Sequence, residues 1–239
     1  GMFLNDAFDH PLDARERPER PIPAGIVTAR DVFISGGALM ACGWIAIVAA
    51  AGLASLGSMV SAAVAGAALI GSIVLYDAWH KGNAFGPAIM GICRVLVYVT
   101  AAVAIAPHVP ARLAAAALML FAYLIGLTYV ANQENRSSVT GVWPLVLLGL
   151  PVVYGIGAIA AFPLTAIAVA VFVIWLVFAL SFLVVPRRFD ARRGVVALIA
   201  GISLLDAIVI AGAGQYKLAI LAVGAWGLTR YLQRYIAGT

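Results

Sequence analysis

Long apolar runs separated by short polar links make up most of this chain. A membrane-spanning helix needs about 20 consecutive apolar residues, and runs of that length recur along the sequence. The pattern predicts eight membrane spans, the last of them less apolar than the others. The predicted spans are Val32 to Ala51, Ser58 to Tyr76, Pro87 to Ala106, Leu113 to Ala131, Val142 to Phe162, Leu164 to Val185, Gly194 to Gly214 and Leu218 to Ile236.

Composition supports a membrane protein. Hydrophobic residues make up 64% of the chain and charged residues 10%, with a mean hydropathy of +1.05. Soluble domains have roughly a quarter charged residues. The links are short and contain no low-complexity insert, so we expect an all-α, polytopic membrane bundle that forms one domain over residues 1–239. Cys42 and Cys93 each lie alone in an apolar span, which indicates neither a disulfide framework nor a zinc site.

The net charge of +5 reflects membrane topology. If residues 5–25 are cytoplasmic, alternation of the spans puts every lysine and arginine except Arg112 and Lys217 on or near that side. Such a bias follows the positive-inside rule and supports the predicted spans. The acidic residues follow the same pattern, apart from Asp206 near the middle of a span. We therefore expect the polar chemistry, and the active face, to be cytoplasmic.

The most informative polar segment lies near the start of the chain. Asn5, Asp6, Asp9 and Asp13 are spaced so that a helix would place most of them on one stripe, and Arg15, Arg17 and Arg20 follow within a few residues. Carboxylates and an amide beside arginines suit a hard cation and a polyanionic ligand such as a diphosphate. The alternative is a solvated loop whose carboxylates pair with those arginines. Pro11 leaves a second question open, because it could break the helix and displace Asp13.

These residues resemble a known family. Asn-Asp-x-x-Asp-x-x-x-Asp at residues 5–13 and Arg-Pro-x-Arg-Pro-Ile-Pro-x-Gly at residues 17–25 are similar to the first aspartate-rich motif of the UbiA superfamily of intramembrane prenyltransferases. Tyr76 and Lys81 resemble its Tyr-x-x-x-x-Lys segment, and residues 86–94, ending in Arg94, resemble the start of the next helix. The sequences of the segment around Tyr76 and Lys81 and of residues 132–136 most resemble the EboC-like branch. The resemblance covers the whole chain and implies that the family's first helix and most of its second precede Gly1.

The resemblance implies a helical bundle that holds Mg²⁺ on the diphosphate of a polyprenyl donor and transfers the prenyl group to a hydrophobic, often aromatic acceptor. It implies a location in the membrane, which we expect to be the bacterial inner (cytoplasmic) membrane. The resemblance assigns residues to three roles. Those for the metal are Asn5, Asp6, Asp9, Asp13 and Glu134; those for substrate are Arg17, Arg20, Lys81, Arg94, Asn132 and Arg136; those for catalysis are Asp9, Asp13, Tyr76 and Glu134.

One segment departs from the family pattern. The second motif normally supplies two or more aspartates, whereas residues 132–136 read Asn-Gln-Glu-Asn-Arg and contain one acid, Glu134. Glu134 with Asn132 and Arg136 could complete a one-metal site, or these residues could only cap a helix. The departure motivates an alternative function, a catalytically degenerate UbiA-like protein that binds or transports a lipid-soluble metabolite. A proton-coupled transporter is a third class, but no inverted repeat or pair of broken helices supports it.

Two further acids have open roles. Asp77 stands where many relatives have a small hydroxyl residue, so it would alter the acceptor pocket, act as a base, or only pair with Lys81 or His80. Asp206 lies at membrane depth, where an ionisable residue is a candidate functional group by default. A proton relay, an acceptor contact and a hydrogen bond to a neighbouring helix are the alternatives for Asp206.

Overall fold

The computed structural model describes residues 1–81, 83, 85–131, 141, 143–185, 187 and 189–235, and in these ranges the regular structure is helical. The helices are α1 (Met2–Glu16), α2 (Ala29–Ala54), α3 (Leu56–Trp79), α4 (Gly86–Ile105), α5 (Ala111–Ala131), α6 (Trp143–Ile159), α7 (Thr165–Val184), α8 (Ala191–Ala211) and α9 (Tyr216–Leu232). The prediction of an all-α membrane bundle is confirmed.

Six of these helices are long and apolar enough to cross a membrane: α2, α3, α4, α5, α7 and α8. They contain the corresponding predicted spans to within about three residues at each end. The predicted count of eight is not confirmed, because α6 and α9 have 17 residues each. In α6 the helix ends at Ile159, ahead of a turn that leads to Pro163.

Side-chain caps define where several helices begin. Thr28 precedes α2 and accepts a hydrogen bond from the backbone N–H of Asp31 at 3.1 Å, and Ser55 precedes α3 and accepts one from Ser58 at 3.0 Å. Each cap satisfies a backbone donor that the first turn of a helix leaves without a partner. The short polar links therefore stop one helix and start the next within a few residues.

The chain divides into two compact units, residues 1–111 and residues 112–239. In the first unit α1 packs against α2 and α3, while α2, α3 and α4 pack together. Leu4 of α1 sits directly over Gly36 of α2, where an added Cβ would come within 3.0 Å of the leucine. The Phe8 and Phe33 rings meet edge to face at 4.9 Å. These contacts fix α1 along α2.

In the second unit α8 is the central helix, with α6, α7 and α9 packed around it. Polar side chains in this unit bond to the α8 backbone: the Tyr123 hydroxyl donates to the Leu198 carbonyl at 2.7 Å, and the Trp175 indole donates to the Ala197 carbonyl at 2.9 Å. Asp206 lies on the same helix, half-buried, and has an interaction partner. The single domain expected for residues 1–239 stays a prediction.

The packing of α6 in the second unit depends on Gly155. A Cβ at this position would collide with Val169 of α7 and approach Ile208 of α8 to 2.8 Å, whereas a Cβ at Gly157 would meet nothing within 4 Å. Overfilling a packed helix junction costs about 1–3 kcal/mol. We therefore expect Gly155→Ala to lower the thermal midpoint in detergent by roughly 5 °C, and Gly157→Ala to leave it unchanged or raise it slightly. Equal midpoints for the two variants would contradict this packing.

Candidate active site

Helix α1 carries a stripe of acidic side chains on the first unit. The helix runs without a break through Pro11 to Glu16, so Asn5, Asp9 and Asp13 lie four residues apart on one face. The possibility that Pro11 ends the helix is therefore excluded. Asp13 is buried, Asp9 is half-buried, and Asp6 is exposed. The first motif thus forms one acidic surface of a single helix.

Arg20 binds the end of this stripe. Its guanidinium donates to Asp13 Oδ2 at 2.8 Å and lies 3.5 Å from Asp6 Oδ1. The Asp13 side chain is 8% exposed, so this pair is shielded from solvent on the carboxylate side. The hydrogen bond that Arg20 donates to Asp13, with the charges of Asp13, Asp6 and Asp9, raises the pKa of the Arg20 guanidinium above its ordinary value. Arg20 therefore stays cationic next to the acids.

The link between α1 and α2 is folded so that Arg20 faces α1. The backbone N–H of Arg20 donates to the Arg17 carbonyl at 3.1 Å, and the next turn closes with the bond from Ala24 N–H to the Arg20 carbonyl at 2.9 Å. Ile22 lies in a buried apolar cluster with Ala7 and Val32. This cluster anchors the link between α1 and α2 and so positions the arginine.

Lys81 brings a second cation to the stripe from another helix. Lys81 lies directly after the end of α3, and its Nζ is 2.7 Å from Asp9 Oδ1. His80 caps that end: its backbone N–H and its Nδ1 both lie 2.9 Å from the Tyr76 carbonyl oxygen, and its ring stacks on the Tyr76 ring at 4.8 Å. The motif containing Tyr76 and Lys81 therefore meets the first aspartate-rich motif at Asp9.

Asp77 is the buried acid of this region. It is 5% exposed, its Oδ2 has no hydrogen-bond partner, and Asn5 and Asp9 lie close enough to interact with it. Lys81 binds Asp9, and no ion pair to Asp77 occurs among the described residues, whereas His80 lies close enough to interact with Asp77. The carboxylate therefore has an oxygen available for a further ligand. The role of Asp77 stays a prediction.

Sequence reasoning gave no role to two other polar groups of the same segments. His10 Nδ1 on α1 and Asn83 Nδ2 after α3 are also buried without a hydrogen-bond partner. Buried polar atoms are nearly always paired, so each of these atoms is a candidate contact for a ligand or water. Their positions inside and directly after the two motifs were the available signal.

The remaining predicted residues are less closely connected. Arg17 and Arg94 are exposed, the first on the link after α1 and the second on α4, and neither forms an ion pair with a described acid. Asn132, Glu134 and Arg136 lie outside the described residues. The structure thus joins the first motif to the segment around Lys81.

The donor atoms of this site fit a hard divalent cation that is shared with a phosphate ligand. In the described part of the chain, no three His, Cys, Asp or Glu side chains gather where they could hold a metal on their own. Mg²⁺ usually binds through one or two carboxylates and completes its shell with water and substrate phosphate oxygens. Four acids, at positions 6, 9, 13 and 77, stand against Arg20 and Lys81, which leaves an excess of oxygen ligands of the right type.

The chain combines long apolar helices with the acidic helix α1, whose carboxylates pair with Arg20 and Lys81. These features define an integral membrane protein with a polar site in its first unit. Residues 1–183 match the UbiA prenyltransferase family, and the chain belongs to this family. No curated protein and no solved structure matched the chain. Family membership supports membrane prenyltransferase activity in general.

The Arg20–Asp13 pair generates a stability prediction. Removing one partner of a shielded ion pair leaves the other without compensation, so Arg20→Gln should destabilise the protein by about 1–3 kcal/mol. Arg17→Gln removes the same charge from an exposed position and should change stability by less than about 0.5 kcal/mol. Thermal unfolding in one detergent compares the two variants.

The double variant Asp13→Asn with Arg20→Gln provides the control. Because it removes both charges, it should recover part of the loss seen in Arg20→Gln. If the losses from Asp13→Asn and Arg20→Gln simply add, the ion pair does not contribute as the geometry indicates.

Proposed function

We propose that this protein transfers a polyprenyl group from a polyprenyl diphosphate to a hydrophobic, aromatic acceptor within the membrane, with Mg²⁺ as cofactor. The main support is the 2.7 Å contact between Lys81 and Asp9, which brings the segment containing Lys81 next to the first aspartate-rich motif. A site that handles a metal diphosphate needs acids for the metal and cations for the phosphate oxygens. Both kinds of residue meet at α1.

The metal ligands in this proposal are Asn5, Asp6, Asp9 and Asp13, with Glu134 of the second motif as a further ligand. The family's general use of Mg²⁺ through aspartate-rich motifs supports this assignment. When bound, Mg²⁺ would neutralise charge on the diphosphate and so help it to leave.

The chain's own cations bind the diphosphate in this scheme. Lys81 is 42% exposed and, among the residues that the structure describes, pairs with Asp9, so a phosphate oxygen can replace the carboxylate at its ammonium group. Arg20 is more firmly fixed by Asp13 and contributes a positive field and the remaining N–H groups. Arg17 and Arg94, exposed and without a described acidic partner, complete the cationic set, and Asn132 and Arg136 are proposed to assist from the second motif.

Tyr76 and Asp77 form the proposed acceptor side of the site. The Tyr76 ring presents an aromatic face, which stabilises the allylic cation left when diphosphate departs. Asp77 has an oxygen without a partner and is nearly excluded from solvent, so it is suited to accept a proton from the acceptor as the new bond forms. In the proposed orientation, this site faces the cytoplasm from the bacterial inner membrane. The proposed subgroup is the EboC-like branch.

A binding or transport protein is the second candidate. It is favoured by the fact that Asp9 and Asp13 are both engaged by cations and no three-acid metal group occurs in the part of the chain that the structure describes. Such a protein would hold a prenyl diphosphate without breaking its ester bond.

The transferase proposal predicts a severe effect of Asp9→Asn. In bilayers containing the protein, farnesyl or geranylgeranyl diphosphate, and 1-naphthol as an acceptor probe, diphosphate release should depend on Mg²⁺ and fall at least about 100-fold in Asp9→Asn. Glu16→Gln removes an acid from the exposed end of the same helix and should retain activity.

The two candidate functions differ in this assay. Transfer of label from the prenyl donor to the acceptor supports the transferase. Saturable binding of the prenyl diphosphate with no Mg²⁺-dependent release of diphosphate, for every donor and acceptor probe, would overturn it in favour of the binding protein.

The role of Asp77 has its own test. Asp77→Asn preserves the shape of the side chain but removes the basic oxygen, so transfer to 1-naphthol should fall by about 100-fold while the KM for the donor changes little. A rise in the donor KM with unchanged kcat would instead place Asp77 on the diphosphate side. Glu16→Gln again serves as the matched loss of one acid.

A further inference from the structure

The second unit contains a cavity of about 420 Å³ where the end of α7, the start of α8 and the end of α9 meet. It is lined by Phe178, Phe182, Asp190, Arg192, Arg193, Val196, Ala197, Arg230 and Gln233. An adjoining hollow shares Phe182, Asp190 and Arg193 with it and adds Arg187. Apart from the two phenylalanines, the lining residues lie beyond residue 183, where the family match ends.

The charge in this cavity is unbalanced. Three arginines line it, whereas Asp190 is its one described acid and pairs with Arg193 at 3.0 Å. The other Asp190 oxygen accepts the backbone N–H of Arg193 at 2.9 Å, so both oxygens of that carboxylate contact Arg193 at the start of α8. Arg192 and Arg230 form no ion pair with any described acid. The cavity therefore has an excess of two positive charges.

Arg230 is held in position before any ligand arrives. Its guanidinium lies 5.3 Å from the centre of the Trp175 ring and donates to Gln233 Oε1 at 2.8 Å. Gln233 in turn donates to the Val196 carbonyl at 3.1 Å and so ties the end of α9 to α8. A fixed arginine loses less conformational entropy when it binds a phosphate than a free one does.

The wall of the cavity continues along α7 as an aromatic row, which we define as Trp175, Phe178 and Phe182. Phe178 lies 5.0 Å from Trp175 and 5.2 Å from Phe182, ring centre to ring centre. Phe178 is 44% exposed, and α7 is one of the helices able to span a membrane. The cavity thus has a cationic end at the helix termini and an apolar side that extends toward the hydrocarbon.

We propose that this cavity binds the headgroup phosphate of an anionic phospholipid from the surrounding membrane, with an acyl chain lying along the aromatic row. The cations supply charge complementarity to the phosphate, as basic pockets between membrane helices do for anionic headgroups. The exposed apolar face of Phe178 distinguishes a lipid from a free phosphate ion, because a free ion would make no use of it. The proposal does not rest on the prenyl transfer proposed for the first unit.

The test measures lipid binding to the full chain by native mass spectrometry during titration with phosphatidylglycerol or phosphatidylcholine. Wild-type protein should bind phosphatidylglycerol more tightly than phosphatidylcholine. Each arginine near a phosphate contributes a factor of about five, so Arg192→Gln with Arg230→Gln should weaken phosphatidylglycerol binding about 25-fold. Arg192→Lys with Arg230→Lys keeps the charge and should retain most of the affinity.

Arg112→Gln is the matched control for loss of charge. Arg112 lies at the start of α5 in the same unit, over the Phe162 ring at 5.7 Å and away from the cavity lining. This variant should bind phosphatidylglycerol as the wild type does. Thermal midpoints of all variants identify any that are misfolded, and for those the lysine double variant gives the comparison.

Three results would overturn the proposal. The first is equal affinity of wild type for the two lipids, and the second is the same loss of affinity in Arg112→Gln as in the cavity variant. The third is displacement of phosphatidylglycerol by inorganic phosphate or by farnesyl diphosphate at equal concentration, which would make the cavity a phosphate or a donor site. Failure of prenyl transfer by the Asp9→Asn variant has no bearing on these outcomes.

Discussion

The partly buried ion pair between Asp13 and Arg20 is the interaction on which the candidate active site depends. A carboxylate that is 8% exposed is costly unless a cation and hydrogen bonds compensate it. The link after α1 must therefore fold back so that Arg20 reaches Asp13, and this same fold places Ile22 in the apolar cluster with Ala7 and Val32. Electrostatics and apolar burial thus fix the same conformation, and α1 is held with its acids in a defined position.

The two ion pairs of α1 differ in a way that suits different tasks. Arg20 and Asp13 are both largely shielded, with 21% and 8% of their side chains exposed, so their bond resists exchange. Lys81 is 42% exposed, and a partly solvated lysine pair is weak enough to be replaced by a phosphate at modest cost. The first pair therefore maintains the structure of the site, whereas the second leaves a cation that a ligand can recruit.

Hydrophobic patterning predicted the six long spans because each must fill the hydrocarbon thickness with apolar residues. The predicted spans at α6 and α9 extend past the C-terminal ends of these helices, since apolar composition does not show where a turn ends a helix. Sequence reasoning could not decide whether α1 continues through Pro11, because a proline disfavours a helix interior but does not always end the helix. Spacing suggested the acidic stripe, but the choice of Asp9 as the partner of Lys81 depends on how α3 ends, which a sequence does not specify.

The bilayer explains why both candidate sites lie at helix ends. Charged groups at membrane depth are expensive, so a chain of apolar helices has most of its ionisable side chains near the termini and links, with Asp206 inside α8 as an exception. What differs between the units is the sign of the excess: acids exceed cations on α1 and near α3, and arginines exceed acids around α8 and α9. An excess of acid attracts a metal ion, and an excess of arginine attracts an anion. One chain therefore provides two candidate sites of opposite electrostatic character, both near helix ends.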